Sequence, residues 1–305
     1  MKVPKVVQRL CIFFIGVPAA TSVIVFLPQY NHLAMNMVVV LFSSVGAVEF
    51  ALMLKTKGFP VYTAEAAILG ALAPLSATFI VAFGTNIQIA QALFVAGASW
   101  VLISEIFLNR QGRKQHTADP LPLNGPAETP VDFSRVLSRL SAAFSVMIYP
   151  GLFLSWIITM SALEHSTIVI ISFAFTVMAN DSLAWVTGML FGKNNKGIFS
   201  VSPNKSIAGY AGGMAGSIGV CIAMAHVFTG AFVPDQIARL PSAILLGLFS
   251  GITVILGDLA ESAIKRSCGF KDSGDLFPGR GGVLDSTDSI ALTAPLFYVL
   301  YRFFF

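Results

Sequence analysis

Residues 240–262 read LPSAILLGLFSGITVILGDLAES, a long apolar run that ends in acidic residues. No charged residue interrupts the stretch from Ala243 to Gly257. A hydrocarbon core of about 30 Å is crossed by roughly 20 apolar residues in a helix. The run therefore predicts a membrane-spanning helix, and the acids Asp258 and Glu261 stand near the end of that helix.

The composition of the whole chain supports the same interpretation. Of its 305 residues, 55% are hydrophobic and only 11% are charged, and the mean hydropathy is +0.78. Soluble domains carry about 25% charged residues, so this chain has too few charges to cover a surface in water. The apolar runs are continuous rather than alternating, which argues against a membrane β-barrel. An all-α polytopic membrane protein is predicted.

Working outward from residues 240–262, we find nine apolar runs in the chain. They lie at about 10–28, 33–54, 63–83, 86–108, 136–158, 165–191, 207–229, 240–262 and 285–305. With the N-terminus in the cytoplasm, 17 of the 19 Lys and Arg residues fall on the cytoplasmic side, and only Arg239 and Arg302 fall outside. Such a bias is expected of membrane proteins. Nine transmembrane helices are predicted, with the N-terminus cytoplasmic and the C-terminus outside.

Two segments bear on the organisation of the chain. The first apolar run could imitate a signal peptide, but it is long and many spans follow, so we expect an uncleaved first helix. The segment 109–134 is rich in proline, glycine and polar residues. It predicts a flexible cytoplasmic connector. The chain would then divide into an N-terminal transmembrane part with its connector, 1–134, and a C-terminal transmembrane part, 135–305.

The polar end of the eighth run carries four functional groups at helical spacing. Asp258, Glu261, Ser262 and Lys265 stand at i, i+3, i+4 and i+7, so they share one face of a helix. Such groups are costly in a membrane unless they are paired or hydrated. They indicate a functional site. The alternative is a solvated helix end in which Asp258 and Lys265 form an incidental charge pair.

A glycine-rich basic loop and two acids follow. The loop contains five glycines together with Lys271 and Arg280, a pattern that suits the wrapping of an anion by backbone N–H groups. Asp285 and Asp288 then stand at i and i+3 in the ninth run. Near a first helical turn they could serve as N-capping residues. Together with Asp258 they could instead hold Mg²⁺, which prefers carboxylates and substrate phosphates.

The fixed positions in this stretch are Ser262, Lys265-Arg266, Lys271-Asp272, Gly274, Phe277-Pro278, Gly281-Gly282-Val283, Asp285 and Asp288. They resemble the signature of the phosphatidate cytidylyltransferases, also called CDP-diacylglycerol synthases. Two positions depart from it: Arg280 stands where the family has His, and Ser286 stands where it has Arg. An arginine at 280 could still bind phosphate, in a bidentate geometry.

Two further segments partly match the family. Asn180 and Asp181 lie in the sixth run, ahead of a Gly-Lys pair, and either bind substrate or form structural hydrogen bonds. Ser202, Lys205 and Ser206 lie in a loop suited to phosphate contact. The glycines that follow this loop are expected to allow close helix packing.

The resemblance implies that CTP and phosphatidic acid react to CDP-diacylglycerol and pyrophosphate. It implies catalytic roles for Asp258, Ser262, Lys265 and Asp285. Asp258, Asp285 and Asp288 would hold one or two Mg²⁺ ions, or one Mg²⁺ and a monovalent cation. The implied substrate-binding residues are Arg266, Lys271, Arg280, Gly281, Gly282, Asn180, Asp181, Ser202, Lys205 and Ser206.

The expected partners are CTP, phosphatidic acid and the lipid bilayer, with no nucleic acid, and the resemblance suggests a homodimer. We expect a bacterial plasma (inner) membrane with the active site facing the cytoplasm. A CTP-dependent polyprenol or phytol kinase, or a secondary transporter for an anion, remains open as an alternative. Three acids of the N-terminal part, Glu49, Glu65 and Glu105, are expected to have capping or interhelical roles rather than catalytic ones.

Overall fold

The computed structural model describes residues 5–116, 136–232 and 236–305, with side chains described at 14–104, 136–232 and 238–305. The helices are α1 (Lys5–Phe26), α2 (Gln29–Thr56), α3 (Thr63–Phe83), α4 (Ile87–His116), α5 (Val136–Val146), α6 (Phe153–Met160), α7 (Ser166–Phe191), α8 (Ile207–Val227), α9 (Gln236–Cys268) and α10 (Leu284–Phe304). Among the described residues there is no β-strand beyond two isolated bridges. The prediction of an all-α membrane protein is confirmed.

These helices follow the nine predicted runs in order, with α5 and α6 together forming the fifth. Among the described residues, seven helical segments are long and apolar enough to cross a membrane. The described apolar part of α1, Phe14–Phe26, is shorter. Helix α10 carries Asp285, Asp288 and Arg302. The count of nine spans and the orientation of the termini therefore stay predictions.

Two helices run beyond their predicted ends. Helix α4 continues to His116 instead of ending near 108, and α9 continues to Cys268, beyond the apolar run 240–262. Polar residues at a membrane boundary can remain helical because the backbone hydrogen bonds do not depend on side-chain polarity. The rest of the predicted connector, 117–134, lies outside the described residues, and the division at 134/135 stays a prediction.

A π-helical turn, Met147–Leu152, joins α5 to α6. It contains Pro150, which has no backbone N–H and disturbs the regular helical hydrogen bonds. The Ser43 hydroxyl of α2 donates to the Gly70 carbonyl at 2.7 Å and also contacts the Pro150 carbonyl. Hydrogen bonding through one hydroxyl thus connects α2, α3 and the π-helical turn.

A buried ion pair ties α3 to α5. The Arg139 guanidinium donates to both carboxylate oxygens of Glu65, at 2.9 and 3.0 Å, and to the Ser104 hydroxyl at 3.2 Å. It also lies 5.1 Å from the centre of the Tyr62 ring. The predicted interhelical role of Glu65 is confirmed. The side chain of Glu105 lies outside the described residues.

Helices α7 and α8 pack closely through glycines. A Cβ atom at Gly213 would lie 2.7 Å from the Asn180 side-chain oxygen, and one at Gly216 would lie 2.8 Å from the Ala179 carbonyl. Only glycine allows the backbones to approach so closely. The expected packing role of this glycine-rich face is confirmed.

The start and the end of α10 are both held by other segments. Near its C-terminal end, the Tyr301 hydroxyl donates to the Ala231 carbonyl at 2.5 Å, just after α8. Phe297, one turn earlier, is fully buried against Phe173 of α7, with ring centres 5.3 Å apart. At the other end, α10 begins beside the C-terminal ends of α7 and α9 and the start of α8, and the polar groups of the chain gather there.

Candidate active site

A cavity of about 540 Å³ lies where α7, α8, α9 and α10 meet. Eight of the predicted site residues line it: Asn180, Asp181, Lys205, Ser206, Asp258, Arg280, Asp285 and Asp288. These residues come from three helices and two loops, so the fold brings together segments that the sequence separates by about a hundred residues. The cavity is the candidate active site.

Lys205 and Asp258 form an ion pair across the cavity wall. Lys205 belongs to the loop before α8, and Asp258 to α9. Burial lowers the pKa of the Lys205 ammonium, and the carboxylates of Asp181 and Asp288 oppose that shift. Lys205 is thus a cation placed among several carboxylates, which suits contact with a phosphate that enters the cavity.

Lys265 lies behind the cavity wall and bridges two carboxylates. Its ammonium pairs with Glu261 one turn earlier on α9 and, at 2.5 Å, with Asp285 of α10. All three side chains are buried, Glu261 completely. The alternative of a solvated helix end with an Asp258–Lys265 pair is therefore wrong: Asp258 has Lys205 as its partner, and Lys265 is not in water.

Asp285 is the most densely bonded of the predicted carboxylates. One of its oxygens accepts hydrogen bonds from the backbone N–H of Ser273 at 2.7 Å, the Ser273 hydroxyl at 2.9 Å and the backbone N–H of Gly282 at 2.8 Å. The glycine-rich loop thus wraps an anion, but the anion is a carboxylate of the protein itself. The predicted contact of Gly281 and Gly282 with substrate stays a prediction.

Glu49 was not predicted to belong to the site, although its expected capping role is confirmed. It accepts hydrogen bonds from the backbone N–H groups of Val283 and Leu284, each at 2.9 Å, and one of its oxygens lies 2.9 Å from the Ser273 hydroxyl. The sequence signal was an acid inside the apolar run 33–54. Nothing in the local pattern could have indicated a partner 234 residues away.

Asn180 and Asp181 of α7 and Asp288 of α10 differ in their surroundings. The Asn180 side-chain amide donates to the Ser217 hydroxyl at 2.9 Å and to the Gly251 carbonyl at 3.5 Å, so it connects α7, α8 and α9. Asp181 lines the cavity. Asp288 is buried, and one of its oxygens accepts the backbone N–H of Ser289 at 2.6 Å. Asn180 therefore has a structural role. The substrate contacts predicted for Asn180 and Asp181, and the metal-binding role predicted for Asp288, stay predictions.

Four other predicted residues do not line the cavity. Ser202 lies in the turn before Lys205, and Lys271 is exposed in the glycine-rich loop. Arg266 is exposed and donates to the Phe270 carbonyl at 3.1 Å. Ser262 is half-buried on α9. Ser206 does line the cavity, yet its hydroxyl accepts the backbone N–H of Gly209 and caps α8. The substrate contacts predicted for this group stay predictions.

The donor groups of the cavity fit a hard cation. Among its lining residues, four carboxylates (Asp181, Asp258, Asp285 and Asp288) face three cationic side chains (Lys196, Lys205 and Arg280). Carboxylate oxygens are the ligands that Mg²⁺ prefers. Within the part of the chain that the structure describes, no three His, Cys, Asp or Glu side chains are clustered tightly enough to hold a metal ion. A metal ion would have to share Asp258 and Asp285 with the ammonium groups of Lys205 and Lys265.

The fold and the cavity together define a helical membrane protein with an ionic cavity at one end of its helix bundle. A sequence model of the Cytidylyltransferase family matches residues 7–304. The chain therefore belongs to the cytidylyltransferase family, and the resemblance to phosphatidate cytidylyltransferases is confirmed.

Similar curated proteins carry that name. The chain is 40% identical to the phosphatidate cytidylyltransferase of Synechocystis sp. over 131 residues, which are 43% of this chain and 42% of the relative. It is 35% identical to that of Bacillus subtilis over 162 residues, 52% and 56% of the two chains. It is 33% identical to that of Mycobacterium tuberculosis over 173 residues, 57% and 49%. The chain thus spans about half the length of the curated relatives it matches.

Gly281 offers a test of the wrapped Asp285 carboxylate. Its φ is +118°, and an added Cβ would lie 2.3 Å from the Asp285 carboxylate. We expect Gly281→Ala to displace the Asp285 carboxylate. The kcat of the reaction proposed below should then fall by roughly 100-fold. Gly84→Ala is the matched control, because Gly84 also has a positive φ (+65°), but among the described residues no atom lies within 4 Å of the added Cβ. Equal turnover in the two purified variants would contradict this prediction.

Proposed function

We propose that this chain transfers the cytidylyl group of CTP to phosphatidic acid, giving CDP-diacylglycerol and pyrophosphate. The observation that carries the proposal is one cavity with two kinds of wall. Its polar wall contains Asp258, Asp285 and Lys205, and its outer wall contains the apolar residues Trp185 and Met189. The polar wall suits a nucleotide and the phosphate of a lipid, the apolar wall suits the apolar part of the lipid, and the chain belongs to a family of cytidylyltransferases.

The apolar wall suits access from the bilayer. Trp185 and Met189 stand at i and i+4 on α7, and they are 60% and 62% exposed. Helix α7 is long and apolar enough to cross a membrane, so exposed apolar side chains on it would face lipid. In the proposed reaction the acyl chains stay in the bilayer while the phosphate of the lipid reaches the cationic groups of the cavity.

The proposed reaction is a displacement at phosphorus. A phosphate oxygen of phosphatidic acid forms a bond to the α-phosphorus of CTP, and the bond from that phosphorus to the oxygen bridging to the β-phosphate breaks. The electron pair of the broken bond leaves with pyrophosphate. Phosphatidate is already an anionic nucleophile, so neither a covalent enzyme intermediate nor a strong general base is needed.

Charge repulsion is the main obstacle to this reaction, because both substrates are anions. Lys196, Lys205 and Arg280 line the cavity and supply positive charge to the phosphates. Arg280 is exposed and can present two parallel N–H donors to one phosphate. Lys265 holds Asp285 in place from behind the cavity wall.

Mg²⁺ is the cofactor we propose, held by Asp258, Asp285 and Asp288 as one or two ions, or as one ion with a monovalent cation. The excess of carboxylates over cationic side chains in the cavity supports this proposal. When bound, Mg²⁺ would neutralise phosphate charge and act as a Lewis acid. The role of the chain is to present these carboxylates and to exclude bulk water from their buried side.

We also propose that the cavity faces the cytoplasm, where CTP is found, and that the nine helices span a bacterial inner membrane with the N-terminus inside. The distribution of Lys and Arg supports this orientation. A homodimer remains part of the proposal on the strength of the family resemblance.

The test is an assay of the purified protein in detergent with labelled CTP, phosphatidic acid and Mg²⁺. We expect labelled CDP-diacylglycerol, and we expect EDTA in excess of Mg²⁺ to abolish its formation. The same assay with polyprenol or phytol and γ-labelled CTP examines the kinase alternative. Labelled lipid phosphate from those alcohols, without CDP-diacylglycerol from phosphatidic acid, would overturn the proposed function.

A further inference from the structure

We propose that Glu49 of α2 is a positioning residue for Asp285. It fixes the glycine-rich loop and the start of α10, and so sets the place of the Asp285 carboxylate in the cavity. The inference rests on the proposed function, because the effect of Glu49 is expected in the rate of that reaction. With this role for Glu49, helix α2 of the N-terminal part contributes to the geometry of the site as well as to packing.

The first contacts are with the start of α10. One carboxylate oxygen of Glu49 accepts the backbone N–H of Val283, and the other accepts that of Leu284, each at 2.9 Å. The first N–H groups of a helix have no partner within the helix, and a carboxylate there is favoured by the helix dipole. The residue is only 8% exposed. Glu49 therefore determines where α10 begins relative to α2.

The second contact links Glu49 to Asp285 itself. The Ser273 hydroxyl lies 2.9 Å from a carboxylate oxygen of Glu49 and 2.9 Å from one of Asp285. The hydroxyl has a single proton and can donate it fully to only one of the two at a time. The backbone N–H of Ser273 also donates to Asp285, at 2.7 Å. A displacement of Glu49 would thus reach Asp285 through one residue.

Two glycines of the loop lie directly against the Glu49 carboxylate. A Cβ atom at Gly274 would lie 2.7 Å from its carboxylate, and one at Gly282 would lie 2.3 Å from it. Real Cβ atoms do not approach other atoms so closely, so a side chain at either position would push the Glu49 carboxylate away from the N–H groups that it caps. The anion that these glycines surround is therefore a carboxylate of the protein, and their presence in the loop has a structural reason that does not involve a substrate.

Glu49 is not among the residues that line the cavity. It therefore acts through Asp285 rather than on the nucleotide, and a change at Glu49 should leave the affinity for CTP nearly intact. The rate of the chemical step should fall, because small errors in the place of a reacting group are costly. This separation of kcat from KM distinguishes a positioning role from a general loss of structure.

The decisive variant is Glu49→Gln, which keeps the shape of the side chain. Its amide nitrogen would face one of the two backbone N–H donors, so one hydrogen bond is replaced by repulsion. We expect kcat to fall by roughly 10- to 100-fold, with KM for CTP within about twofold of the wild-type value. Glu65→Gln is the matched control: it makes the same change at a buried Glu of α3, paired with Arg139, and should lower the unfolding temperature while kcat stays near wild type.

Each outcome decides the question. Wild-type kcat in folded Glu49→Gln, or a loss of activity that only follows the loss of folded protein, would overturn the inference. If Glu49→Gln does not fold, Ser273→Ala takes its place, with the same expected fall in kcat and the same contrary result. An inactive wild-type protein would overturn the proposed function, whereas an active wild type with an unaffected Glu49→Gln overturns this inference alone.

Discussion

Asp285→Asn is expected to lose almost all turnover, with kcat falling by about 1,000-fold or more. The asparagine oxygen can still accept the backbone N–H groups of Ser273 and Gly282, so the glycine-rich loop should keep its path. The negative charge that pairs with Lys265, and that would hold Mg²⁺, is lost. The measurement is the rate of CDP-diacylglycerol formation by purified, folded variant and wild type in parallel.

Asp275→Asn is the control for this experiment. Asp275 lies in the same glycine-rich loop but is exposed and does not line the cavity, so kcat should stay within about twofold of the wild-type value. Activity of Asp285→Asn close to that of Asp275→Asn would refute the catalytic and metal-binding roles of Asp285.

Lys265→Met is expected to have the largest effect on stability. Glu261 and Asp285 would then be buried carboxylates without their shared cation. Removing one partner of a buried ion pair costs about 3–5 kcal/mol, because the remaining charge is uncompensated. We expect a clear fall in the unfolding temperature of the detergent-solubilised protein, together with loss of turnover because Asp285 is no longer held.

The double variant Glu261→Gln with Lys265→Met separates the two effects. It removes the uncompensated charge of Glu261, so most of the lost stability should return. Turnover should remain lost, since Asp285 still lacks Lys265. If Lys265→Met alone unfolds at the wild-type temperature, the ammonium of Lys265 does not stabilise the contact between α9 and α10.

Much of this structure could be predicted because its signals are local. The long apolar runs determine the helices, and the spacing of Asp258, Glu261 and Lys265 correctly indicated one helical face, since α9 continues through all of them. The clustering of Asp258, Asp285 and Asp288 around one cavity was likewise predicted. It followed from a hairpin in which α9 ends and α10 begins at the same end of the bundle.

The partners of the charged groups could not be predicted, because they come from distant segments. Spacing alone made Lys265 a possible partner of Asp258, but the loop before α8 brings Lys205 there instead. The glycine-rich loop indicated that an anion is bound there, but the sequence did not show that this anion is the carboxylate of Asp285. Glu49 lies in a different apolar run from its partners, and only the packing of α2 against α10 brings them together.

The two attachments of α10 have a mechanical consequence. Glu49 holds its first N–H groups, and the Tyr301 hydroxyl holds its other end to Ala231. A helix that is hydrogen-bonded to other segments at both ends can neither slide along its axis nor rotate without breaking one of these bonds. In the proposed reaction α10 would therefore serve as the fixed reference for the chemistry, because its start and its end are both bonded to other segments.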